Sequence, residues 1–251
     1  MSGEEGLEKL FFELASESRL GILHELQKEN LRMQQIARRM GVTATEAFRQ
    51  LERLGAASLV QRQPDGTFAI TEYGKQVLQI STSLAFISTH REYLSTHELT
   101  KLPPRFVSRL GELSGAKLEA DAIETLNRGA EAFTLAKRYI WGVGEGYIPE
   151  HMVPVMNEQI QRGMEVRMLI SGSRFPSAAG LPQAPRNVET RALGDCPVMI
   201  ALTERDAVVA FRQVGGKADY AAFVGNDPVF HDWVRDVFLY YWERGKRIRT
   251  R

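Results

Sequence analysis

Several features that define protein classes are scarce or missing in this chain. Only one cysteine, Cys196, occurs among 251 residues, which excludes an internal disulfide framework and fits a reducing compartment. No apolar run approaches the ~20 residues of a membrane helix. The opening MSGEEGLEKL also lacks the basic and then apolar pattern of a signal peptide. We therefore expect a cytoplasmic protein without a membrane partner.

Patterns for catalysis or metal binding are missing as well. No nucleophile–base spacing and no paired carboxylates stand out in the sequence. His90 and His97 lie a heptad apart, but without carboxylate or thiolate company they favour packing or solvated roles over a metal site. We therefore predict that the chain is not an enzyme and that it needs no metal or cofactor.

Basic residues, by contrast, are present in local clusters. The net charge is only +1, yet six arginines lie within a short part of the N-terminal region. Local patches of this kind suit phosphate contacts even when the total charge is near zero. The cluster consists of Arg32, Arg38, Arg39, Arg49, Arg53 and Arg62.

The region around this cluster has the order helix, turn, helix and hairpin. Apolar residues at helical spacing predict three helices between residues 7 and 40. Gly41 ends the third helix, and Thr43 caps a fourth, with Glu46 at the capping-box position. The segment SLVQRQPDGTFAITEYG alternates on both sides of a Pro-Asp-Gly turn, which predicts a β-hairpin. This order is typical of a winged helix-turn-helix domain.

The polar face of the fourth helix and the hairpin are the predicted contacts to double-stranded DNA. The second helix of a helix-turn-helix enters the major groove, where arginine suits guanine and glutamine suits adenine. Threonines and Arg38 suit phosphates, and Arg62 suits the flanking backbone. The predicted DNA-binding residues are Arg38, Thr43, Thr45, Glu46, Arg49, Gln50, Arg53, Arg62 and Thr67. The alternative is a helical hairpin with a solvated polar face.

Three segments carry a resemblance to known regulators. Ser16–Leu78, with LVQRQPDGTFAITEYGKQVL, resembles the winged-helix domain of small prokaryotic regulators of the arsenic-repressor type. HREYLSTHELTKLPPRFVSRLGEL and FVGNDPVFHDWVRDVFLYYWERGKRI resemble archaeal winged-helix regulators with a C-terminal sensor domain. That group includes the methanogen filamentation and methanol-methyltransferase regulators.

The resemblance implies a phospholipase-D-like α/β fold for the C-terminal domain. Enzymes of that fold use a His-x-Lys motif, and none of the five histidines here is followed by lysine two residues on. We therefore expect the domain to act as a sensor. The fold class is mixed α and β: a winged helix, a long linker helix and an α/β domain.

The predicted domains are residues 1–75 for the winged helix, 76–102 for a linker or dimerisation helix, and 103–251 for the sensor. The linker helix is expected to run from Gly74 to about Leu99. Its apolar stripe packs either on its own domain or on a second subunit. Because winged-helix regulators usually read two half-sites, we expect a homodimer. The predicted dimerisation residues are Val77, Ile80, Leu84 and Ile87.

The predicted sensor domain has the pattern of a sheet with helices. A helix is predicted over Leu118 to Leu135. It is followed by a strand at RYIWGVG, a helix containing Pro149 and a second strand at MEVRMLI. This strand–helix–strand order predicts two parallel strands. Later strands are VETRAL, PVMIALT and AVVAFR, the last two as an antiparallel hairpin, and Asp227-Pro228 opens a final apolar helix.

An effector is expected outside the carboxyl ends of the parallel strands, where ligands of open α/β sheets bind. The predicted ligand-binding residues are Trp141, Gly144, Tyr147, Ser171, Ser173, Arg174 and Cys196. The glycines of GVGEGY fit a tight structural turn equally well. Two functions remain open: a regulator that senses a small molecule, or one whose C-terminal domain docks a signalling kinase or the transcription machinery.

Overall fold

The computed structural model describes residues 3–145, 150–171, 185–215 and 219–248. It divides into two compact units, Met1–Thr82 and Ser83–Arg251, and the division falls inside one helix. Each unit has its own buried apolar core. Within the described ranges, no helix has the length and apolar character that crossing a membrane requires.

The first unit has the predicted element order. Ser16 Oγ accepts from the Arg19 amide at 3.4 Å and caps the second helix, while Thr43 Oγ1 accepts from the Glu46 amide at 3.1 Å and caps the fourth. Gly41 takes φ 65°, a left-handed conformation that ends the third helix. The elements are α1 (Gly3–Leu14), α2 (Glu17–Lys28), α3 (Met33–Met40), α4 (Ala44–Ala56), β1 (Val60–Arg62), β2 (Phe68–Ile70) and α5 (Glu72–Thr89), which continues past the division.

The core of the first unit lies between the inner faces of α2, α3 and α4 and the hairpin. Ile22, Ile36 and Leu54 are fully buried there, as their helical spacing predicts. Strands β1 and β2 pair antiparallel, with Val60 opposite Ile70. The hairpin therefore stands beside the helix-turn-helix as a wing.

The second unit consists of one sheet with helices on both faces. Its described elements are α6 (Arg91–Thr96), β3 (His97–Glu98), α7 (Pro104–Val107), β4 (Lys117–Glu119), α8 (Ala122–Leu135), β5 (Tyr139–Gly144), α9 (Val153–Gln161), β6 (Glu165–Ser171), β7 (Val188–Leu193), β8 (Val198–Thr203), β9 (Ala207–Gln213), β10 (Ala222–Gly225), α10 (Pro228–Arg244) and β11 (Lys246–Arg247). Short 3-10 helices occupy Leu110–Gly115 and Glu150–Met152.

The sheet is mixed, as the sequence predicts. Across the described residues its strand order is β11-β7-β6-β5-β8-β9-β10-β4, and β3 pairs with β9. Strands β5, β6 and β7 are parallel, and β8 and β9 form the predicted antiparallel hairpin. The fold class predicted from the sequence, a winged helix joined through a long helix to an α/β domain, is confirmed.

Alternate residues of each strand face opposite layers. In β5, Val143 joins the core beneath α10, while Ile140 joins the core beneath α8 and α9. The apolar residues of α10, the predicted final helix, pack on the face of the sheet that holds Val143. Asp227 caps the helix by accepting from the amides of Val229 and Phe230. We call the two sides of the sheet the α10 face and the α8/α9 face.

Three predicted boundaries differ from the structure. The helix expected to reach Leu99 ends at Thr89, because the next residues turn into α6 and then pair with β9 through β3. Leu118 lies in β4 rather than in a helix, since it pairs with Phe223. The α9 helix begins at Val153, with a proline in its first turn. Pro149 lies outside the described residues.

Candidate functional site

The outer face of α4 is open to solvent. Thr43 begins the helix, and Thr45 lies exposed in its first turn. Arg49 follows one turn later, with 70% of its side chain exposed and its guanidinium 2.7 Å from a Glu46 carboxylate oxygen. The hydrogen bonds from Gln50 and Arg49 lower the pKa of Glu46 and hold it ionised. The pair leaves the other guanidinium donors of Arg49 free to bind a further acceptor.

Phe48 lies on the same outer face and was not predicted as a site residue. Its side chain is 52% exposed, which is unusual for phenylalanine on a folded domain. The sequence pattern does carry a signal, because Phe48 falls outside the buried positions Ala47, Leu51 and Leu54. An exposed aromatic ring between Thr45 and Arg49 adds an apolar contact to an otherwise polar surface.

The inner side of α4 corrects one prediction. Gln50 is only 7% exposed; its Oε1 accepts from Arg19 Nη1 at 3.1 Å, and its amide donates to Glu46, so it does not belong to the exposed face on which DNA contacts were predicted. Arg53 forms a two-pronged bond to Glu13, with Nε at 3.2 Å and Nη2 at 2.8 Å from the two carboxylate oxygens. This bond engages the Arg53 guanidinium with α1, while 38% of the side chain stays exposed.

Arg19 is the centre of this internal network. It is buried, and its guanidinium reaches the main-chain oxygens of Phe12 and Glu13 at 2.7 and 2.8 Å and the Glu13 carboxylate at 2.9 Å. Burial lowers the pKa of Arg19, and the Glu13 carboxylate opposes that shift. The network fixes α4 against α1 and α2, which sets the direction in which its outer face points.

Two further predicted cations are exposed beside this helix-turn-helix. Arg38 on α3 and Arg62 on β1 lie at the surface, and neither has an ion-pair partner among the described residues. Arg39, next to Arg38, is instead paired with Glu25 and Glu29 at 2.9 and 2.7 Å. Arg38 and Arg62 therefore keep their charge available for an external anion.

Thr67 has a structural role within the wing. Its amide and hydroxyl both donate to Asp65 Oδ1, at 2.9 and 2.7 Å, and these bonds lower the pKa of Asp65. Gly66 between them takes φ 84°, which closes the turn. The Thr67 hydroxyl is therefore engaged by a bond within the turn, although Thr67 itself lies at the tip of the wing.

An apolar stripe follows one side of α5. Tyr73, Ile80, Leu84 and Ile87 are all exposed and recur at seven-, four- and three-residue intervals. Val77 lies on the same side but is half-buried against the core of the first unit. Of the predicted dimerisation residues, three thus remain uncovered in the single chain.

The second unit contains a cavity of about 380 Å³ on the α8/α9 face of the sheet. Helices α8 and α9 do not cover strands β8 and β9 completely, and the uncovered part forms the cavity. Its lining is mainly apolar and includes Leu126, Gly129, Phe133, Met152, Met156, Met168, Met199, Ala201, Val208, Ala210, Tyr220, with Thr125, Gly142, Gly144 and Glu145.

The predicted ligand residues do not form one group. Gly144 lines this cavity, but Trp141 lies on the α10 face, where it stacks on Phe238 at 5.1 Å and its Nε1 donates to Glu165 at 3.1 Å. The cause is the two-residue period of the strand, which turns odd and even positions to opposite faces. Tyr147, Ser173 and Arg174 lie outside the described residues.

Ser171 and Cys196 are brought together at the carboxyl ends of the parallel strands. Ser171 Oγ accepts from the Cys196 amide at 2.9 Å, and Arg212 Nε donates to the Cys196 carbonyl at 2.9 Å. Arg212, which also pairs with Glu145, was not predicted, because it reaches this edge from the distant strand β9. Burial raises the pKa of the Cys196 thiol to about 12, so the thiol stays protonated at neutral pH.

Buried His97 pairs with half-buried Asp219 elsewhere in the second unit. His97 Nδ1 lies 2.7 Å from the Tyr93 carbonyl oxygen, and its Nε2 lies 3.1 Å from an Asp219 oxygen. Partial burial would raise the pKa of Asp219, but hydrogen bonds from His97 and the Ala221 amide lower it. Both ring nitrogens are therefore occupied, and the pair joins β3 to the segment before β10.

Together these features define two classes of domain: a winged helix-turn-helix in the first unit and a mixed α/β domain in the second. No protein-family model matches the chain, and no curated protein shows significant similarity to it. Among solved structures, TrmBL2, an archaeal chromatin protein described with a novel mode of DNA binding, is 12% identical over 87% of this chain and 88% of its own, with a TM-score of 0.43.

Two further solved structures resemble the chain at similar identity. Nuc from Salmonella typhimurium, a phospholipase D family member, is 11% identical over 54% of this chain and 99% of its own, with a TM-score of 0.37. An IclR homologue from Microbacterium hydrocarbonoxydans, complexed with 4-hydroxybenzoate, is 11% identical over 88% and 96%, with a TM-score of 0.26. With TM-scores below 0.5, none of these likenesses assigns a function to this chain.

Proposed function

We propose that the chain is a DNA-binding transcriptional regulator whose α4 helix enters the major groove and whose second unit receives a signal. One observation carries the proposal: α4 is locked on its inner side by Arg19 and Glu13, while its outer side presents Thr45, Phe48 and Arg49 to solvent. A helix held rigidly at one face and polar at the other suits groove recognition.

Each exposed side chain has a chemical counterpart on DNA. Arg49 suits the acceptors of guanine, and the Phe48 ring suits a thymine methyl group in the major groove. Arg38 and Arg62 suit phosphates on either side, where they would set the register of the helix. Glu46 orients Arg49 through their ion pair at 2.7 Å rather than reading a base itself.

Binding to selected DNA tests this proposal. The wild-type chain would select duplexes from a random library, and fluorescence anisotropy would then compare variants on a selected and an unrelated duplex. We expect Arg49→Ala to weaken binding to the selected duplex roughly 10- to 100-fold and to reduce discrimination. Arg162→Ala, an exposed arginine of the second unit, is the matched control. Failure of the wild type to enrich any duplex would refute the proposal.

Phe48 allows a second test on the same duplex. Phe48→Ala should weaken binding, and replacing the contacted thymine by uracil should weaken the wild type by a similar factor, because both changes remove the ring–methyl contact. The two changes together should cost little more than either alone. Additive losses would place Phe48 away from the thymine methyl.

The same proposal includes a homodimer formed through α5. The exposed stripe of Ile80, Leu84 and Ile87 supports this arrangement, since two such stripes bury each other's apolar surface. Ile87→Asp should then weaken dimerisation and DNA binding together, measured by sedimentation and anisotropy. Thr82→Asp, exposed on another side of α5, is the control. An Ile87→Asp chain that stays dimeric would contradict the α5 interface, and a monomeric one with unchanged DNA affinity would contradict the link between dimerisation and DNA binding.

For the second unit, the cavity favours a small-molecule signal over a docked protein. A protein partner would need a broad exposed surface, whereas the α8/α9 face forms a concave space of about 380 Å³, within the range of small-ligand pockets. Binding of the signal would shift the population between arrangements of two winged helices, only one of which matches the half-site spacing.

A further inference from the structure

We infer that the cavity on the α8/α9 face binds a neutral aromatic molecule. The inference names the effector class of the proposed regulator and so rests in part on that proposal. Its evidence is the set of side chains around the cavity, which differs from the rest of the core in two ways.

The first difference is methionine. Four of the eight methionines in the chain, Met152, Met156, Met168 and Met199, line this one cavity. Thioether sulfur makes favourable contacts with aromatic rings, and the unbranched side chain adapts to the shape of a guest. An aromatic body gains more from this lining than a saturated one of equal size.

The second difference concerns charge. Glu145 is the only charged residue among the described residues lining the cavity, and it already pairs with Arg212. An anionic ligand would approach this carboxylate without a new cation to balance it, and desolvating an unpaired charge is expensive. The lining therefore selects a neutral molecule.

The size of the cavity can be changed at one position without disturbing the backbone. A Cβ added at Gly129 on α8 would meet only the Met152 methyl carbon, at 4.0 Å. Leucine at this position would extend into the cavity and fill part of the space that a ligand needs. Asn127→Leu, exposed two residues earlier on the same helix, adds the same side chain outside the cavity.

Isothermal titration calorimetry with 2-naphthol, without DNA, tests the inference. We expect 2-naphthol to bind the wild type and Asn127→Leu equally, and Gly129→Leu at least roughly tenfold more weakly because the leucine occupies the site. Circular dichroism would confirm that each variant is folded. No binding of 2-naphthol to the wild type up to its solubility limit, or equal binding to Gly129→Leu, would overturn the inference.

Two analogues separate the parts of the ligand description. Decahydro-2-naphthol binding as tightly as 2-naphthol would refute the aromatic preference, and tight binding of 2-naphthoate would refute neutrality. Arg49 lies in the other unit, so DNA binding and probe binding are measured at separate sites. A wild-type chain that binds DNA but not the probe would refute only the ligand class.

Discussion

The two faces of the sheet in the second unit are built from alternate residues of the same strands, yet they are packed differently. On the α10 face, rigid aromatic rings are fully buried in one cluster, including Phe211 of β9 and Trp233 and Phe238 of α10. The rings of Phe211 and Trp233 are in contact. On the α8/α9 face, flexible methionines and small residues such as Ala210 surround a cavity. Bulky rings fill the space between layers, whereas small and flexible side chains leave part of it open.

This difference indicates a division of labour within one sheet. The α10 face contributes stability, because each buried aromatic ring removes a large apolar area from water. The α8/α9 face lacks some of that packing, so the atoms around its cavity lose dispersion contacts that a filled core would supply. If the two faces differ in this way, substitutions and titrations on the α10 face should affect stability more than those on the α8/α9 face.

Trp233→Ala should have the largest effect. Trp233 is fully buried on the α10 face, and its Nε1 donates to the Phe106 carbonyl at 3.3 Å. We expect a loss of about 3–5 kcal/mol in the free energy of unfolding, measured with urea. Met199→Ala on the α8/α9 face should cost clearly less, because Met199 already borders open space. Equal losses would remove the contrast between the faces.

High pH should destabilise the α10 face through Cys196. Its thiol belongs to that core, and burial raises its pKa to about 12 from an ordinary value of 9.0. The neutral thiol is favoured in the folded state, so its contribution is complete below about pH 9 and is lost as the pH rises toward 12. At pH 11 the loss is about 2–3 kcal/mol relative to pH 8.

The comparison chain for this prediction is Cys196→Ala. Buried tyrosines also ionise at high pH, and both chains share that part of the decline. The difference in unfolding free energy between wild type and Cys196→Ala, followed from pH 8 to pH 11, isolates the thiol. Parallel curves for the two chains would show that Cys196 ionises as easily in the folded state as in the unfolded one.

Gly245→Ala should destabilise the chain by overpacking the end of α10. A Cβ at Gly245 would lie 2.7 Å from Leu169 Cδ1 and 3.0 Å from Arg191 Cβ, closer than atoms in contact can approach. The backbone φ of −70° is ordinary, so the effect is one of space alone. We expect a loss of about 1–3 kcal/mol in thermal or urea unfolding.

Gly129→Ala should have the smallest effect and the opposite sign. The added methyl group meets only Met152, at 4.0 Å, and alanine is favoured over glycine inside a helix. We expect a gain of about 0.5–1 kcal/mol in the same measurement. A loss at Gly129 similar to that at Gly245 would mean that the α8/α9 face is packed as tightly as the α10 face.

Much of the fold could be predicted because its signals are local. Thr43 and Asp227 cap the helices they precede, and both caps are seen in the hydrogen bonds to the following amides. The parallel pairing of β5 and β6 follows from the helical crossover, containing α9, that joins them. In each case the residues that decide the structure lie within a few positions, or within one supersecondary unit, of each other.

The candidate sites could be predicted only in part, because they depend on distant contacts. Gln50 and Arg53 share a polar side of α4 with Arg49, and periodicity does not reveal that α1 covers part of that side. Arg53 meets Glu13 across forty positions of sequence. Phe48 was missed for the complementary reason: an aromatic residue is expected to be buried unless the structure shows that no element covers it.

Local features of the sequence specify most of the helices and strands, the Thr43 and Asp227 caps and the parallel pairing of β5 and β6, because these depend on short-range sterics and hydrogen bonds. Tertiary contacts set the end of α5 and the pairing of Leu118 in β4, and they also set which polar residues of α4 face outward and where the sheet is left uncovered. Those outcomes depend on how layers from distant parts of the chain fit together: Glu13 pairs with Arg53 in the first unit, and Met152 and Met199 line the cavity from different elements of the second.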